Sequence, residues 1–209
     1  MADTRNFGTM VSRIAREIRR DNLTADIKDS IVDAIRYYEN ERFSFNEQSS
    51  VVVTTASSPY LSALPAGIIS LDRVELDQGG SRYPVDPKSY TWITDVDNGN
   101  SLGPPYDYAL YQGNMRMYPV PDQAYSIHLS YQVQLTEVSA SATSTATNAW
   151  MKVAEPVIRS HAKGLIFLHR LRNQSEAQAM EYIASKEHKR LKSKDSGKTT
   201  TGNIVKTDF

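Results

Sequence analysis

The chain has 209 residues, 24 Lys and Arg against 24 Asp and Glu, and no cysteine. That length suffices for one full core or for two small units sharing a chain. Zero net charge excludes a protein that holds DNA through bulk positive charge, and the absence of thiols excludes a disulfide scaffold and thiolate metal sites. No run of about 18 apolar residues occurs, and MADTRNFGTM has no apolar signal core. The expectation is a soluble protein made in the cytoplasm, with no membrane partner.

Phe7, Met10, Val11, Ile14, Ala15 and Ile18 recur at helical spacing, with Arg13, Arg16 and Arg20 on the opposite face. Thr24 is positioned to cap a second helix with the stripe Ile27, Ile31, Ala34, Ile35 and Tyr38. Two short amphipathic helices cannot bury their faces alone and need another layer. From Ser49 the period changes to two: VVVTT and IISLDRVEL are β-branched runs separated by Pro59 and Leu64-Pro65 and followed by Gly79-Gly80. Asp86-Pro87 reads as a cap and first-turn proline for one helical turn reaching Trp92. YALYQGNMRMYPVP reads as a hairpin turning at Gly113-Asn114, both tolerant of positive φ. Ile127, Leu129, Tyr131, Val133 and Leu135 alternate with polar residues, as a half-buried strand does.

SASATSTATN is a low-complexity linker, and Asn148 caps the return to helix. The next stripe runs from Trp150 through Val153, Val157, Ile158, His161, Leu165 and Leu168, with a restart at Pro156. Asn173 with Glu176 has the spacing of a capping box for a last helix through Ala177, Met180, Ala184 and Leu191. The fold class is therefore α+β. Residues 1–48 and 148–192 supply the helices of one bundle, 49–136 an inserted antiparallel β unit, 137–147 a linker and 193–209 an extended tail.

Candidate chemistry is sparse. Gly197-Lys198-Thr199 lacks the upstream glycine of a phosphate loop, because that position is Lys192. TDVDNGNS departs from a calcium loop: Asp95 at position one puts Gly99 fifth and Tyr106 twelfth. His128, His161, His169 and His188 have no paired spacing for zinc. Glu39, Glu41 and Glu47 cluster as a glycoside hydrolase's acids do, but at the charged end of a helix running into a strand. Arg13, Arg16 and Arg20 read as a solvated face, and Trp92 and Trp150 as core. No catalytic, metal or cofactor constellation results.

YYENERFSFNE, Tyr60, Leu64-Pro65, GPPYDYALYQGNMRMYPVPD, NAW and TGNIV, in that order, resemble the head–tail adaptor (connector) proteins of tailed bacteriophages. The similarity spans nearly the whole chain, which departs from the smaller all-helical connectors by its β unit. The resemblance implies a structural protein of the virion neck, not an enzyme. It would form a homo-oligomeric, dodecameric ring under the portal protein ring and dock a downstream tail or nozzle protein. Genomic DNA would pass through without sequence-specific binding. The alternatives are a tail-associated peptidoglycan hydrolase and a DNA-binding module.

On this reading the polar tail is an arm for the portal, bearing Lys198, Thr199, Thr201, Ile204, Val205 and Phe209. Extended from Ser193, it would reach roughly 55–60 Å, ordering only on binding. Burial of Phe209 would contribute about 1.5–3 kcal/mol per copy, multiplied around a ring by avidity.

Overall fold

The structure is a computed structural model. It describes residues 5–199 except 62–63, 98–100, 136–138, 140, 142 and 144, with backbone alone for 197–199. The chain is mixed α+β and divides into two compact units at Asn46/Glu47 and Val133/Gln134, so that one unit is built from two separated stretches of sequence.

That first unit is helical. Helix α1 (Phe7–Ile18) opens on a reciprocal cap: Asn6 Oδ1 accepts from the Thr9 N–H at 2.8 Å, and the Asn6 N–H donates to Thr9 Oγ1 at 3.0 Å. It closes at Arg19, whose left-handed φ of 54° turns the chain back. Helix α2 (Thr24–Tyr38) starts without a side-chain cap, contrary to the expectation for Thr24. Thr24 is already inside the helix, where its hydroxyl donates to the Asp21 carbonyl. Helices α4 (Ala149–Val153) and α5 (Glu155–His169) meet at Pro156, which sits in the first turn of α5, where a missing N–H costs no bond. Asn148 caps α4, and Asn173 caps α6 (Gln174–Thr199) through the Glu176 N–H.

The core of this unit joins Phe7, Met10 and Ile14 of α1, Ile27, Ile31 and Ile35 of α2, and Val157, Ile158 and Ile166 of α5. Trp150 lies at its centre, edge-on to Phe43 at 5.6 Å and Phe45 at 4.9 Å. Two residues of the expected stripe, Val153 and Leu168, project to solvent instead. Helix α6 packs along α5, and Gly164 sits where Ala177 and Met180 come within 3.6 Å of a would-be Cβ.

The second unit is β. A four-stranded antiparallel sheet has the order β1 (Glu47–Val53), β7 (Ser126–Val133), β2 (Ile68–Gln78), β3 (Ser81–Pro84). Strands β2 and β3 join through Gly79 and Gly80, both at positive φ. Ile127, Leu129, Tyr131 and Val133 of the central β7 are buried, as their alternation predicts. Leu135 lies beyond β7 and packs on the helical core. A three-stranded sheet has the order β4 (Asp86–Pro87), β5 (Asp107–Tyr111), β6 (Asn114–Tyr118), covered by helix α3 (Tyr90–Val96).

Three sequence expectations change here. The hairpin turns at Gln112-Gly113, whose φ values of 49° and 75° fit the paired positive-φ positions of a tight hairpin, one residue earlier than expected. Asp86-Pro87 forms a parallel bridge to β5 rather than a helix start, with the Asp86 and Lys88 N–H groups bonded to the Tyr106 and Tyr108 carbonyls. The helix begins at Tyr90, capped by Ser89 through the Trp92 N–H. Finally, α6 continues through Thr199, so the stretch from Ser193 is helical, not extended. Ser193, Asp195 and Ser196 all favour caps, but the stretch carries no proline to stop the helix, which propagates past the expected end.

Candidate functional site

Three clusters of polar and aromatic side chains stand out, two in the helical unit and one in the β unit. Glu17 on α1 receives Lys163 Nζ at 2.8 Å, pairs with Arg159, and accepts from Arg13 at 3.3 Å. Arg13 and Arg159 also reach Glu155 on α5. Burial pushes the Glu17 carboxyl up, but the Lys163 hydrogen bond and the three cations outweigh it, and its pKa sits below the ordinary value. This cluster ties α1 to α5 by charge where their apolar stripes end.

A second cluster sits where α2 ends. Tyr38 contacts His161 Nδ1 through its hydroxyl at 3.4 Å, and its ring lies 5.0 Å from that of His188. Glu41 binds His188 Nε2 at 2.9 Å and Lys192 Nζ at 2.6 Å. One turn further along α6, Asp195 accepts the Ser44 N–H at 2.8 Å. Burial, with Tyr37, Glu41 and Glu181 nearby, pushes the Tyr38 phenol up to about 12. Burial also pushes His161 down, against the opposing charge of Glu181, so the buried ring favours the neutral form. The result is a clamp that fixes the polar half of α6.

In the β unit, Arg116 on β6 pairs with Asp97 at 2.7 Å and lies 5.6 Å from the Tyr90 ring centre. Tyr90 stacks on Tyr111 at 4.3 Å, and its hydroxyl lies 3.4 Å from that of Tyr60. Trp92 is 38% exposed, edge-on to Tyr118 with Lys88 over its face. The expectation that it is core fails because α3 turns Ile93, not Trp92, into the sheet. Trp150 is core as expected.

The carboxylates singled out in the sequence have separate partners. Glu39 accepts from Gln134 and Glu41 is occupied by two basic groups, while Glu47 opens β1 in the other unit. Glu41 therefore holds α6 in place. Asp97 of the calcium-like segment pairs with Arg116, and Gly99 lies outside the described residues. His128 faces Asp77, and His161 and His188 are in the clamp. Among the described residues, no group of three His, Asp or Glu is placed to hold a metal, and no helix is long and apolar enough to cross a membrane. Gly197-Lys198-Thr199 ends a helix instead of preceding one, the reverse of a phosphate cradle. Of the tail residues, Lys198 and Thr199 lie in the last turn of α6, while Thr201, Ile204, Val205 and Phe209 lie outside the described residues.

The sequence reading missed the clamp. Its one local signal was His188 and Lys192, four apart and so on one face of α6; their acid is far away in the chain.

The family model for the SU10 adaptor protein matches residues 5–202. The chain belongs to the SU10 adaptor family. No curated protein matches it. The match takes in every described helix and strand of the chain, including those of the β unit. Its membership agrees with the resemblance to phage adaptors found in the sequence and coarsely supports a structural part over an enzyme.

Proposed function

We propose that this SU10 adaptor is the structural joint between head and tail of a bacteriophage. It forms a ring beneath the portal, dodecameric as the resemblance implies, extends the DNA channel and presents the docking surface for the next tail component. The observation that carries this reading is the family match across nearly the whole chain. Two features support it. The net charge of zero suits a duct through which DNA slides without being gripped. Glu17, Glu41, Asp77, His128 and His188 are engaged in ion pairs within the fold.

The portal contact in this reading is the segment after α6. Lys198 and Thr199 form its root, and Thr201, Ile204, Val205 and Phe209 are its contacts. Ten residues follow Thr199, which extended would reach about 33–36 Å, far enough to lie on a neighbouring protein. Ring copies engaging together offset the ordering cost that one arm alone would not.

Deletion of residues 200–209 tests this. The shortened chain should melt at the same temperature as the full chain, because the deleted stretch follows the last described helix. It should no longer co-sediment with purified portal rings. Undiminished portal binding would remove the arm from the proposal. Failure of the full-length chain to bind portal at all would remove the head–tail reading itself.

A further inference from the structure

The two outer strands of the four-stranded sheet are built differently. Strand β3 is four residues long, SRYP, and its Arg82 and Pro84 discourage pairing with another strand. Strand β1 is seven residues long, EQSSVVV, with no lysine, no proline and no break in its register with β7. Among the described residues no other strand pairs with it. Its only charge is Glu47, at the first position.

The register says which backbone groups are free. The Thr54 N–H donates to the Tyr125 carbonyl at 2.9 Å, which makes 54/125 a hydrogen-bonded pair in line with Val53↔Ser126. Such pairs alternate along an antiparallel ladder. Val52, Ser50 and Gln48 therefore bond to β7, and the N–H and C=O groups of Val53, Val51 and Ser49 point away from it. The side chains of Val51 and Val53 are 54% and 52% exposed. A seven-residue strand edge whose single charge lies at its first position, flanked by exposed valines, is a template for a further strand.

We propose that this edge pairs with the same edge of a second copy, antiparallel about a two-fold axis at Val51. The sequence is self-complementary in that register. Val51 faces its counterpart, Ser49 faces the second copy's Val53, and no like charges are opposed. It is the register that uses all three free positions on both strands, giving up to about six new backbone hydrogen bonds. The sheets join into one of eight strands, with both guarded β3 strands outermost. A two-fold contact closes on itself and recruits no further copies. The pairing therefore belongs to the free protein before it enters a virion, and it does not depend on the ring reading above.

The chain has no cysteine, which allows a register-specific test. Across the proposed axis the two Val51 Cα atoms would be about 5.5 Å apart, within disulfide range. The two Val53 positions would be about 13 Å apart along the strands. Under mild oxidation the full chain with Val51→Cys should form a covalent dimer in high yield, and that with Val53→Cys should not. In sedimentation velocity the unaltered chain should pass from monomer to dimer as concentration rises. Val51→Lys should weaken that association at least about tenfold, by placing two lysines together at the axis, with an unchanged melting temperature at concentrations where the chain is monomeric, because the side chain is exposed. A chain that stays monomeric at every concentration overturns the proposal. So does a dimer that Val51→Cys fails to lock, or that Val53→Cys locks equally well, since either places the contact elsewhere.

Discussion

The helical unit and the β unit each hold one of the chain's two tryptophans, in opposite settings. Trp150 is 1% exposed and packs edge-on against the stacked pair Phe43 and Phe45. Trp92 shows a third of its surface, with one ring edge-on and one ammonium over its face. The contrast extends to the surroundings. The helical unit uses its charges internally: Glu17, Glu41 and Asp195 each tie one helix or turn to another. The β unit leaves surface unspent, with Tyr60, Trp92, Tyr106, Leu110 and Tyr111 exposed and the β1 edge open. Exposed aromatic side chains and open strand edges are the usual raw material of interfaces. The helical unit also exposes Tyr37, Val153, Leu168, Tyr182 and Ile183, so its difference from the β unit lies in its charge-tied helices against an open strand edge.

The largest test of that contrast is Trp150→Ala. Removing a fully buried indole from a packed aromatic cluster costs about 3–5 kcal/mol, enough to unfold a marginal domain. Urea denaturation followed by helical circular dichroism should show a sharply lower midpoint. A loss below about 1.5 kcal/mol would mean that the helical core tolerates a large cavity, and the contrast with the β unit would fail.

The helical unit was largely legible in the sequence because its signals are local. The stripes of α1 and α2, that of α5 apart from Leu168, and the Asn148 and Asn173 caps depend on neighbours within four residues, and they fall where the spacing puts them. The β unit was legible only as strands. Which strand neighbours which is decided by residues far apart, so that β1 and β7 pair across some eighty residues with nothing in either to announce the other. The displaced turn at Gln112-Gly113 has a similar cause: the ladder fixes where the two positive-φ residues fall, and glutamine is an uncommon occupant of the first. The clamp on α6 escaped for the same reason, since Glu41 meets His188 and Lys192 only once α5 has brought α6 alongside α2.

A middle-sized effect is the pH response of the helical unit. His161 is stacked on Tyr37 and bonded to Tyr38, with Glu181 the acid facing it from α6. Its folded pKa lies below the unfolded value near 6.5. Below that value the unfolded chain binds the proton more readily than the folded one, so stability falls with pH until the folded ring also titrates. The stabilising contribution is complete above pH 6.5 and is lost below it. His161→Phe keeps an aromatic ring on Tyr37 and removes the proton. The urea midpoint of the unaltered chain should drop between about pH 7 and about pH 5, and that of the variant should drop less. Equal slopes would show that His161 is not the group that titrates.

The smallest effect expected is that of Trp92→Ala, and its smallness is what the contrast requires. The side chain loses an edge contact with Tyr118, worth about 0.5–1.5 kcal/mol in well-packed pairs, and a partly solvated contact with Lys88, worth about 0.5–1 kcal/mol. Neither leaves a closed cavity, because solvent already reaches the ring and refills the space. Ile93 and Ala109, which seat α3 on the three-stranded sheet, are untouched. The net cost should be about 1 kcal/mol, a shift of a few degrees at most in melting temperature. Fluorescence gives an independent reading. Trp92→Phe leaves Trp150 as the sole indole, and the remaining emission should be blue-shifted and nearly immune to acrylamide, as a buried ring's is. A Trp92→Ala loss approaching that of Trp150→Ala would mean that α3 is held down by its outer face, and that this part of the β unit is packed as tightly as the helical core.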